Sequence, residues 1–327
     1  MSLLKEIFKS FSNQNVLIIG DAMVDAYRWG TINRISPEAP VPVVSVHKSE
    51  NRLGGAANVA LNIKALGGNA TLCSVIGTDP QGIIFKELMQ SANLTTQGLI
   101  QFKDRCTTVK TRVISDNKHV LRLDEEVSSE ILETQIILDK VKDLIDSNNF
   151  DVIIFEDYNK GMLSQEVIQK SIALAKSKNI PTLVDPKKDH FLEYKDVMLF
   201  KPNLKELSEG VNQHLKGSDL PSIEKAVTKL RQALNAKGIL LTLSEFGVLI
   251  QSKDGQQVIP AFKRDIIDVS GAGDTVVAVA AMTLAATNND TYIATISNLA
   301  GGLVCEFPGV VPINKENLFN EAAKYLE

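Results

Sequence analysis

Short apolar runs that alternate with longer helical stretches are the feature that most constrains this chain. From Ser128 onwards, runs typical of buried parallel strands are separated by stretches with helical periodicity. An earlier run, Asn15 to Gly20, has the same apolar character. Regular alternation of this kind predicts an α/β fold built on an open, mostly parallel sheet. The predicted strands are residues 151–155, 181–184, 197–200 and 238–243, and the predicted helices are residues 129–147, 164–178, 218–235 and 274–287.

Polar residues follow the ends of these predicted strands, which is where open α/β sheets bind ligands. Asp21 and Asp25 come after the first strand and are candidates for binding sugar hydroxyls; the alternative is that Asp21 caps a turn and Asp25 is solvated. At later strand ends, two carboxylates and an amide predict a Mg²⁺ site in which the ion is held through water. Two lysines at strand ends are suited to phosphate groups. The metal candidates are Asp185, Asn203 and Glu206, and the lysines are Lys160 and Lys187.

The turn from Asp268 to Thr275 precedes an apolar helix and is the strongest candidate for chemistry. Its glycines let backbone N–H groups converge at a helix N-terminus, where they and the helix dipole favour an anion. The amides of residues 271–274, from Gly271, Ala272 and Gly273 to Asp274, are the predicted anion hole. Asp274 is placed to take a proton from an attacking hydroxyl. The alternative is an ordinary helix start in which this aspartate has no chemical role.

A second glycine pair, Gly54 and Gly55, opens a predicted helix that packs through alanines and stops at Gly67. The pair allows a ligand to approach the backbone closely, and Asn58 presents both a donor and an acceptor. A tight turn with a close-packed helix explains the glycines equally well, but it does not explain Asn58. Gly54, Gly55 and Asn58 are therefore candidates for binding a substrate.

Two β-prone segments, about residues 27–48 and 105–124, interrupt the α/β pattern. Prolines break the first into short pieces, which confines them to edge or isolated strands. The second alternates apolar and polar residues around an Asp116-Asn117 turn and predicts a hairpin. We expect the two segments to form a small β-sheet lid over the ligand edge, within one domain of residues 1–327. Because an exposed lid edge favours pairing, a homodimer clasped through the lids is a hypothesis.

Composition narrows the partners and the location. The chain has 327 residues, of which 35 are basic and 39 acidic, and the net charge of −4 without a basic tract argues against nucleic acid. No apolar run reaches the roughly 18 residues of a membrane span, and no signal-peptide pattern opens the chain, so we expect a cytoplasmic protein with no membrane partner. The spacing of Cys73, Cys106 and Cys305 fits reduced thiols rather than a metal site.

These motifs together resemble the ribokinase-like (PfkB) carbohydrate kinases over nearly the whole chain. Residues 54–77 resemble the first signature of that family and residues 268–278 the second, while Asn203-Leu204-Lys205-Glu206 is similar to its Asn-x-x-Glu magnesium motif. The resemblance implies a doubly wound, mostly parallel sheet with helices on both faces and a small β-sheet lid. It also implies transfer of the ATP γ-phosphate to a sugar hydroxyl, with Mg²⁺ as cofactor and a sugar or sugar phosphate as the small-molecule partner.

Within this family, the strand-end and lid segments are similar to kinases that phosphorylate C1 of D-glycero-β-D-manno-heptose 7-phosphate, on the path to ADP-heptose for lipopolysaccharide. Such a substrate implies cations for its own phosphate; the alternative is that the lid cations are simply solvated. Residues 306–309 depart from the family pattern near the adenine, which leaves a monovalent cation site there open. The phosphate candidates are Arg34, Lys110 and Arg112, and the nucleotide candidates are Asn203, Thr242, Ser244, Gly247 and Asn298.

Other functions stay open at this point. A different sugar kinase of the same fold could act on ribose, fructose or a fructose phosphate, and an unphosphorylated substrate would leave Arg34 and Arg112 nothing to bind. A sugar-binding regulator without turnover is a further alternative, against which the intact Asp274 turn argues. A pyridine-nucleotide oxidoreductase is the most distant one. Because many heptose kinases carry a fused nucleotidyltransferase and no His-x-Gly-His motif occurs here, we expect the kinase step alone.

Overall fold

The computed structural model describes residues 2–116 and 118–327 and contains two β-sheets with helices packed around the larger one. The strands are β1 Asn15–Gly20, β2 Ala22–Ile35, β3 Pro42–Gly55, β4 Asn69–Gly77, β5 Leu99–Phe102, β6 Val109–Ser115, β7 Lys118–Glu125, β8 Val152–Glu156, β9 Thr182–Asp185, β10 Leu199–Phe200, β11 Gly238–Thr242, β12 Val248–Ser252 and β13 Gly255–Ile259. The helices are α1 Leu3–Ser10, α2 Ala56–Ala65, α3 Pro80–Ser91, α4 Thr134–Ser147, α5 Gln165–Ser177, α6 Leu204–Gly210, α7 Leu220–Leu234, α8 Ala272–Ala286, α9 Asp290–Val304 and α10 Lys315–Leu326.

The larger sheet has nine strands in the order β13-β12-β11-β10-β9-β8-β1-β4-β5. All neighbours from β11 to β5 pair in parallel, whereas β12 and β13 add an antiparallel edge. Each face of this sheet carries its own apolar core, because alternate residues of a strand point to opposite faces. In β1, Val16 and Ile18 join the core formed with α2, α8 and α9, while Leu17 and Ile19 join the core formed with α4, α5 and α7. The predicted doubly wound α/β sheet is confirmed.

Most predicted elements are present with shifted ends. The helix predicted from residue 129 begins at Thr134, and the one predicted from 274 begins at Ala272. Helices α3 and α6 and the β12–β13 hairpin were not predicted. The hairpin has a recognisable signal, since Lys253-Asp254-Gly255 lies between two strand-like runs; Lys253 and Asp254 form the loop, and Gly255 pairs with Ser252. None of the described helices has the length and apolar character that a membrane span requires.

The lid is a four-stranded sheet in the order β3-β2-β6-β7. The prediction of short, proline-broken pieces is wrong here: β2 and β3 are continuous strands of 14 residues each. Pro37 and Pro40 lie in the connection between them and Pro42 is the first residue of β3, positions where a missing N–H costs no ladder bond. The predicted β6–β7 hairpin is present; of the turn predicted at Asp116-Asn117, Asn117 lies outside the described residues.

Candidate active site

The glycine turn before α8 forms a helix N-terminus with free amides. Gly271 is the N-cap residue with φ +78°, and a Cβ at this position would lie only 3.0 Å from Nδ2 of Asn58. Glycine is therefore required for the close approach of turn and asparagine. Within the described chain, the N–H groups of Gly271, Gly273 and Asp274 have no hydrogen-bond acceptor, whereas the N–H of Ala272 donates back to the Val269 carbonyl at 3.2 Å. Three amides can thus receive an anion.

Asp274 lies at the start of α8, where it is 8% exposed and hydrogen-bonded through both carboxylate oxygens. Asn58 Nδ2 donates to Oδ2 at 2.7 Å, and the Tyr158 hydroxyl donates to Oδ1 at 2.7 Å. Burial raises the pKa of Asp274 to about 6, although these two hydrogen bonds oppose the increase. A carboxylate with a pKa near neutrality is suited to act as a general base.

The two glycines before α2 serve the packing of the chain itself. A Cβ on Gly54 would lie 2.4 Å from Oδ2 of Asp25, and one on Gly55 would lie 2.6 Å from the Asp21 carbonyl. Gly55 also has φ +58°, which favours glycine. This turn directs the first residues of α2, including the buried Asn58, towards Asp274.

Asp21 and Asp25 have different partners. Asp21 is buried, and its carboxylate accepts hydrogen bonds from the backbone N–H groups of Tyr158, Lys160 and Met162, so it anchors the loop after β8. Burial raises the pKa of Asp21, and these amide bonds oppose the increase. Asp25 pairs with Arg112 of β6, with Oδ1 and Nη1 2.5 Å apart.

Three lid cations were predicted to bind the substrate, and the structure brings two of them to the site. Lys110 of β6 lies in register with Asp25, and its ammonium is 3.0 Å from Glu126 and 3.2 Å from Asp124. Glu126 also accepts from Lys160 at 2.9 Å, so one carboxylate joins a lid lysine to the loop after β8. Arg34 is not brought together with them. It lies nine positions beyond Asp25 on the same strand, about 30 Å away at roughly 3.3 Å per residue.

The three Mg²⁺ candidates lie close together and are already paired with protein groups. Asn203 and Glu206 form a capping box at the start of α6, with both hydrogen bonds at 2.8 Å. Lys187 donates to Glu206 at 2.7 Å, and its pKa is raised because the carboxylates of Glu206 and Asp185 outweigh the opposing effect of burial. Asp185 Oδ1 lies 3.0 Å from the ammonium of Lys201 without hydrogen-bond alignment.

These oxygens suit a hydrated Mg²⁺ better than a directly chelated one. The described residues include no group of three or more His, Cys, Asp or Glu side chains that could hold a metal. Among the described residues, no hydrogen-bond partner reaches either oxygen of the fully buried Glu156 or Oδ1 of Asp185. Burial and the nearby Asp185 and Asp274 carboxylates raise the pKa of Glu156 well above its ordinary value. Because Mg²⁺ keeps several waters and takes one or two carboxylates with substrate phosphates, the unpartnered oxygens fit such an ion.

A cavity of about 700 Å³ opens on the other side of the glycine turn. Its volume lies within the range of about 300–1,000 Å³ that is usual for small-molecule sites. The predicted nucleotide residues line it together with the turn, and Asn203 bridges to Thr242 at its edge. The irregular segment before the turn, including Phe262 and Arg264, supplies a wall with no recognisable sequence signal. The predicted residues that line the cavity are Thr242, Ser244, Gly247, Ala272, Gly273 and Asn298.

Three residues that contribute to this site do not stand out in the sequence. Tyr158, Glu156 and Lys201 each lie in or directly after a strand whose polar end the sequence marks. The strand end was the available signal, but it does not tell which of several consecutive polar residues points into the site. Their contacts depend on the neighbouring strands and helices.

A buried carboxylate between a lid and a nucleotide-sized cavity, with free amides beside it, is an arrangement suited to phosphoryl transfer from a nucleotide to a small-molecule hydroxyl. The fold and site thus define the class as a small-molecule kinase. The family model described as pfkB family carbohydrate kinase matches residues 13–317, and the chain belongs to that family. It is an ATP-dependent sugar kinase.

Curated relatives are similar over most of the chain. A bifunctional protein HldE from Desulfatibacillum aliphaticivorans is 36% identical over 311 residues, which is 94% of this chain and 63% of that protein. A bifunctional protein HldE from Campylobacter jejuni strain RM1221 is 39% identical over 316 residues, which is 95% of this chain and 65% of that protein. The chain therefore spans a little less than two thirds of the length of these relatives.

Solved structures share the fold at low sequence identity. The phosphofructokinase-2 of Escherichia coli in complex with potassium has a TM-score of 0.80 at 19% identity, over 96% of this chain and 99% of that chain. An Arabidopsis thaliana ribokinase complexed with ribose and ATP has a TM-score of 0.71 at 15% identity, over 94% of this chain and 98% of that chain. These matches confirm the ribokinase-like fold.

Proposed function

We propose that this kinase transfers the γ-phosphate of ATP to C1 of D-glycero-β-D-manno-heptose 7-phosphate and forms the 1,7-bisphosphate. The observation that carries the proposal is the position of Lys110, a lid cation in register with Asp25 and joined through Glu126 to the loop that contributes Tyr158. A cation beside the acceptor site suits a sugar that already carries a phosphate. Similarity to relatives named HldE supports the same substrate class.

The chemical step follows from the residues around Asp274. Its carboxylate accepts the proton of the C1 hydroxyl while the hydroxyl oxygen attacks the γ-phosphorus and ADP leaves on the opposite side. The free amides of Gly271, Gly273 and Asp274 hydrogen-bond the oxygens of the phosphoryl group in transit. Lys160 and Lys187 offset triphosphate charge.

The two substrates are bound on opposite sides of the glycine turn. Asp25, Asn58 and the Gly54-Gly55 backbone bind the sugar, and Asp21 contributes by holding the loop beside it. Asp185, Asn203 and Glu206 would hold Mg²⁺ through water, and the ion would supply charge neutralisation on the triphosphate when bound. We propose a cytoplasmic location, where ATP is available to the enzyme.

A second candidate, a kinase for an unphosphorylated sugar such as ribose or fructose, is favoured by one observation. Arg112 is already paired with Asp25, and Lys110 is already paired with Asp124 and Glu126. Cations neutralised within the chain offer less attraction to a substrate phosphate. The substrate panel below distinguishes the two candidates.

The test measures ADP release from MgATP with heptose 7-phosphate, fructose 6-phosphate, ribose, fructose or no sugar. We expect turnover with the heptose phosphate only. Turnover confined to another sugar would keep the Asp274 chemistry and contradict the substrate, and no turnover with any sugar while ATP binds would contradict both. Each assay is run with potassium and with tetramethylammonium chloride, because a higher rate in potassium would assign a monovalent cation to this enzyme.

A further inference from the structure

Both oxygens of the proposed base are occupied by donors of the chain itself. Asn58 belongs to α2, which packs on the same core as α8, so its bond to Oδ2 is part of the packed interior. Tyr158 belongs to the irregular loop after β8, and its hydroxyl donates to Oδ1 at 2.7 Å. The Tyr158 hydroxyl therefore occupies Oδ1 of Asp274. An acceptor hydroxyl or a water molecule would have to donate its proton at this same carboxylate.

The loop holds the backbone of Tyr158 through bonds that do not involve its ring, whose centroid lies 5.4 Å from the Lys187 ammonium. Asp21 accepts from the N–H groups of Tyr158, Lys160 and Met162, so the backbone is held independently of the phenol. Within the described residues, the phenol hydroxyl has one hydrogen-bond partner, Asp274. Burial and the Asp274 and Glu156 carboxylates raise the pKa of Tyr158 well above its ordinary value, so the phenol stays a neutral donor. The bonds that hold the loop would therefore stay intact if the phenol left Oδ1.

We propose that Tyr158 is a positioning residue that occupies Asp274 until an acceptor sugar replaces it, and that it thereby suppresses hydrolysis of ATP by water. The inference rests on the kinase reaction proposed above. In transfer, the sugar O–H proton passes to Asp274, the new O–P bond forms, and the bond from the γ-phosphorus to the bridging oxygen breaks with its electron pair on ADP. Hydrolysis follows the same course with water and yields ADP and inorganic phosphate. A bound sugar displaces the phenol from Oδ1 because the sugar makes additional contacts with the acceptor site. A single water molecule makes no such contacts and does not displace the phenol.

Replacement of Tyr158 by phenylalanine tests this inference, since it removes only the hydroxyl. ADP and phosphorylated sugar are measured separately with MgATP, without sugar and with the sugar accepted by the wild-type chain. We expect sugar-independent ADP release to rise relative to transfer by about tenfold or more, the factor that a lost hydrogen bond to a charged group corresponds to. We also expect KM for the sugar to fall, because the phenol no longer competes for Oδ1.

Tyr292→Phe is the matched control. The Tyr292 hydroxyl lies 3.4 Å from the Leu326 carbonyl, away from the site. Loss of this hydroxyl should change neither the ratio of sugar-independent ADP release to transfer nor KM for the sugar. If Tyr158→Phe does not fold by circular dichroism, Tyr158→Leu is measured in its place. Equal loss of hydrolysis and transfer, or an unchanged ratio with unchanged KM, would overturn the inference and leave the kinase function intact. Absence of sugar-dependent ADP release in the wild-type chain would instead overturn the proposed function, and the inference with it.

Discussion

At the scale of single residues, burial and hydrogen bonding act on Asp274 in opposite directions. Burial is the largest effect and raises its pKa, the hydrogen bonds from Asn58 and Tyr158 lower it, and Asp185 and Lys187 add a smaller increase and decrease respectively. The resulting pKa of about 6 makes Asp274 ionised at neutral pH but close enough to neutrality to receive a proton.

The pH dependence of turnover should follow this residue. A general base must be ionised, so kcat/KM should fall as the pH decreases through about 6 and reach a plateau above it. Asp274→Asn should lower kcat by about 10²–10⁴ while calorimetry shows unchanged ATP binding. The exposed Asp254→Asn is the matched control and should leave kcat and the profile unchanged. A near-normal kcat in Asp274→Asn would remove this residue from the mechanism.

At the scale of elements, the lid strands determine which cations can meet the substrate. Strand β2 leaves the core directly after Asp21 and carries Asp25 at its inner end, and β6 pairs with it in parallel so that Lys110 lies beside Asp25. Arg34 lies at the outer end of the same strand. The length of β2 therefore separates Arg34 from the lid cations with which the sequence pattern grouped it.

Substitutions in the lid should therefore have unequal effects. Lys110→Ala should raise KM for the phosphorylated sugar by roughly ten- to a hundredfold, the cost of a hydrogen bond to a charged group, and leave KM for ATP unchanged. Arg34→Ala and the exposed Lys118→Ala should change neither constant, because neither residue lies near Asp25. Steady-state kinetics at varied sugar concentration measures KM for the sugar in each variant. A large effect of Arg34→Ala on this KM would show that the outer half of the lid contacts the substrate.

At the scale of the whole molecule, the lid presents apolar side chains to solvent. Exposed apolar side chains are available to a partner, and a sheet edge offers unpaired backbone groups to a second chain. A homodimer formed through the lids would cover the exposed apolar side chains and the sheet edge. The lid residues that are half-exposed or more are Ile35, Val41, Val46, Leu121 and Leu123.

Light scattering at micromolar concentration tests this assembly. We expect a dimer for the wild-type chain and a monomer for the double variant Leu121→Glu and Leu123→Glu, because these side chains lie two apart on β7 and so share a face. Leu132→Glu is the matched control, since Leu132 is 88% exposed and lies outside the lid, and it should remain a dimer. A monomeric wild-type chain would remove the hypothesis.

Local sequence patterns predicted most strands and helices of the larger sheet, because each pattern depends only on residues that are close together along the chain. The apolar run of β1 and the glycine turn that precedes the apolar helix α8 each report a conformation that a few adjacent residues determine. The capping box of Asn203 and Glu206, which a spacing of three residues produces, is equally local, although α6 was not predicted from it. Patterns were less informative about the lid, where prolines indicated short strands although two long strands form around them.

The sequence by itself determined the α/β alternation, the edge of the sheet where polar residues collect, and the glycine turn that precedes Asp274. Tertiary structure alone decided which of those polar residues meet. Asn58 and Tyr158, which lie 216 and 116 residues from Asp274, contact it because the packing of α2 on α8 and the place of β8 in the sheet bring them there. Arg34 is kept away by the length of β2. The physical reason is that hydrophobic periodicity specifies which side of an element is buried, whereas contacts between distant residues require the whole core to assemble.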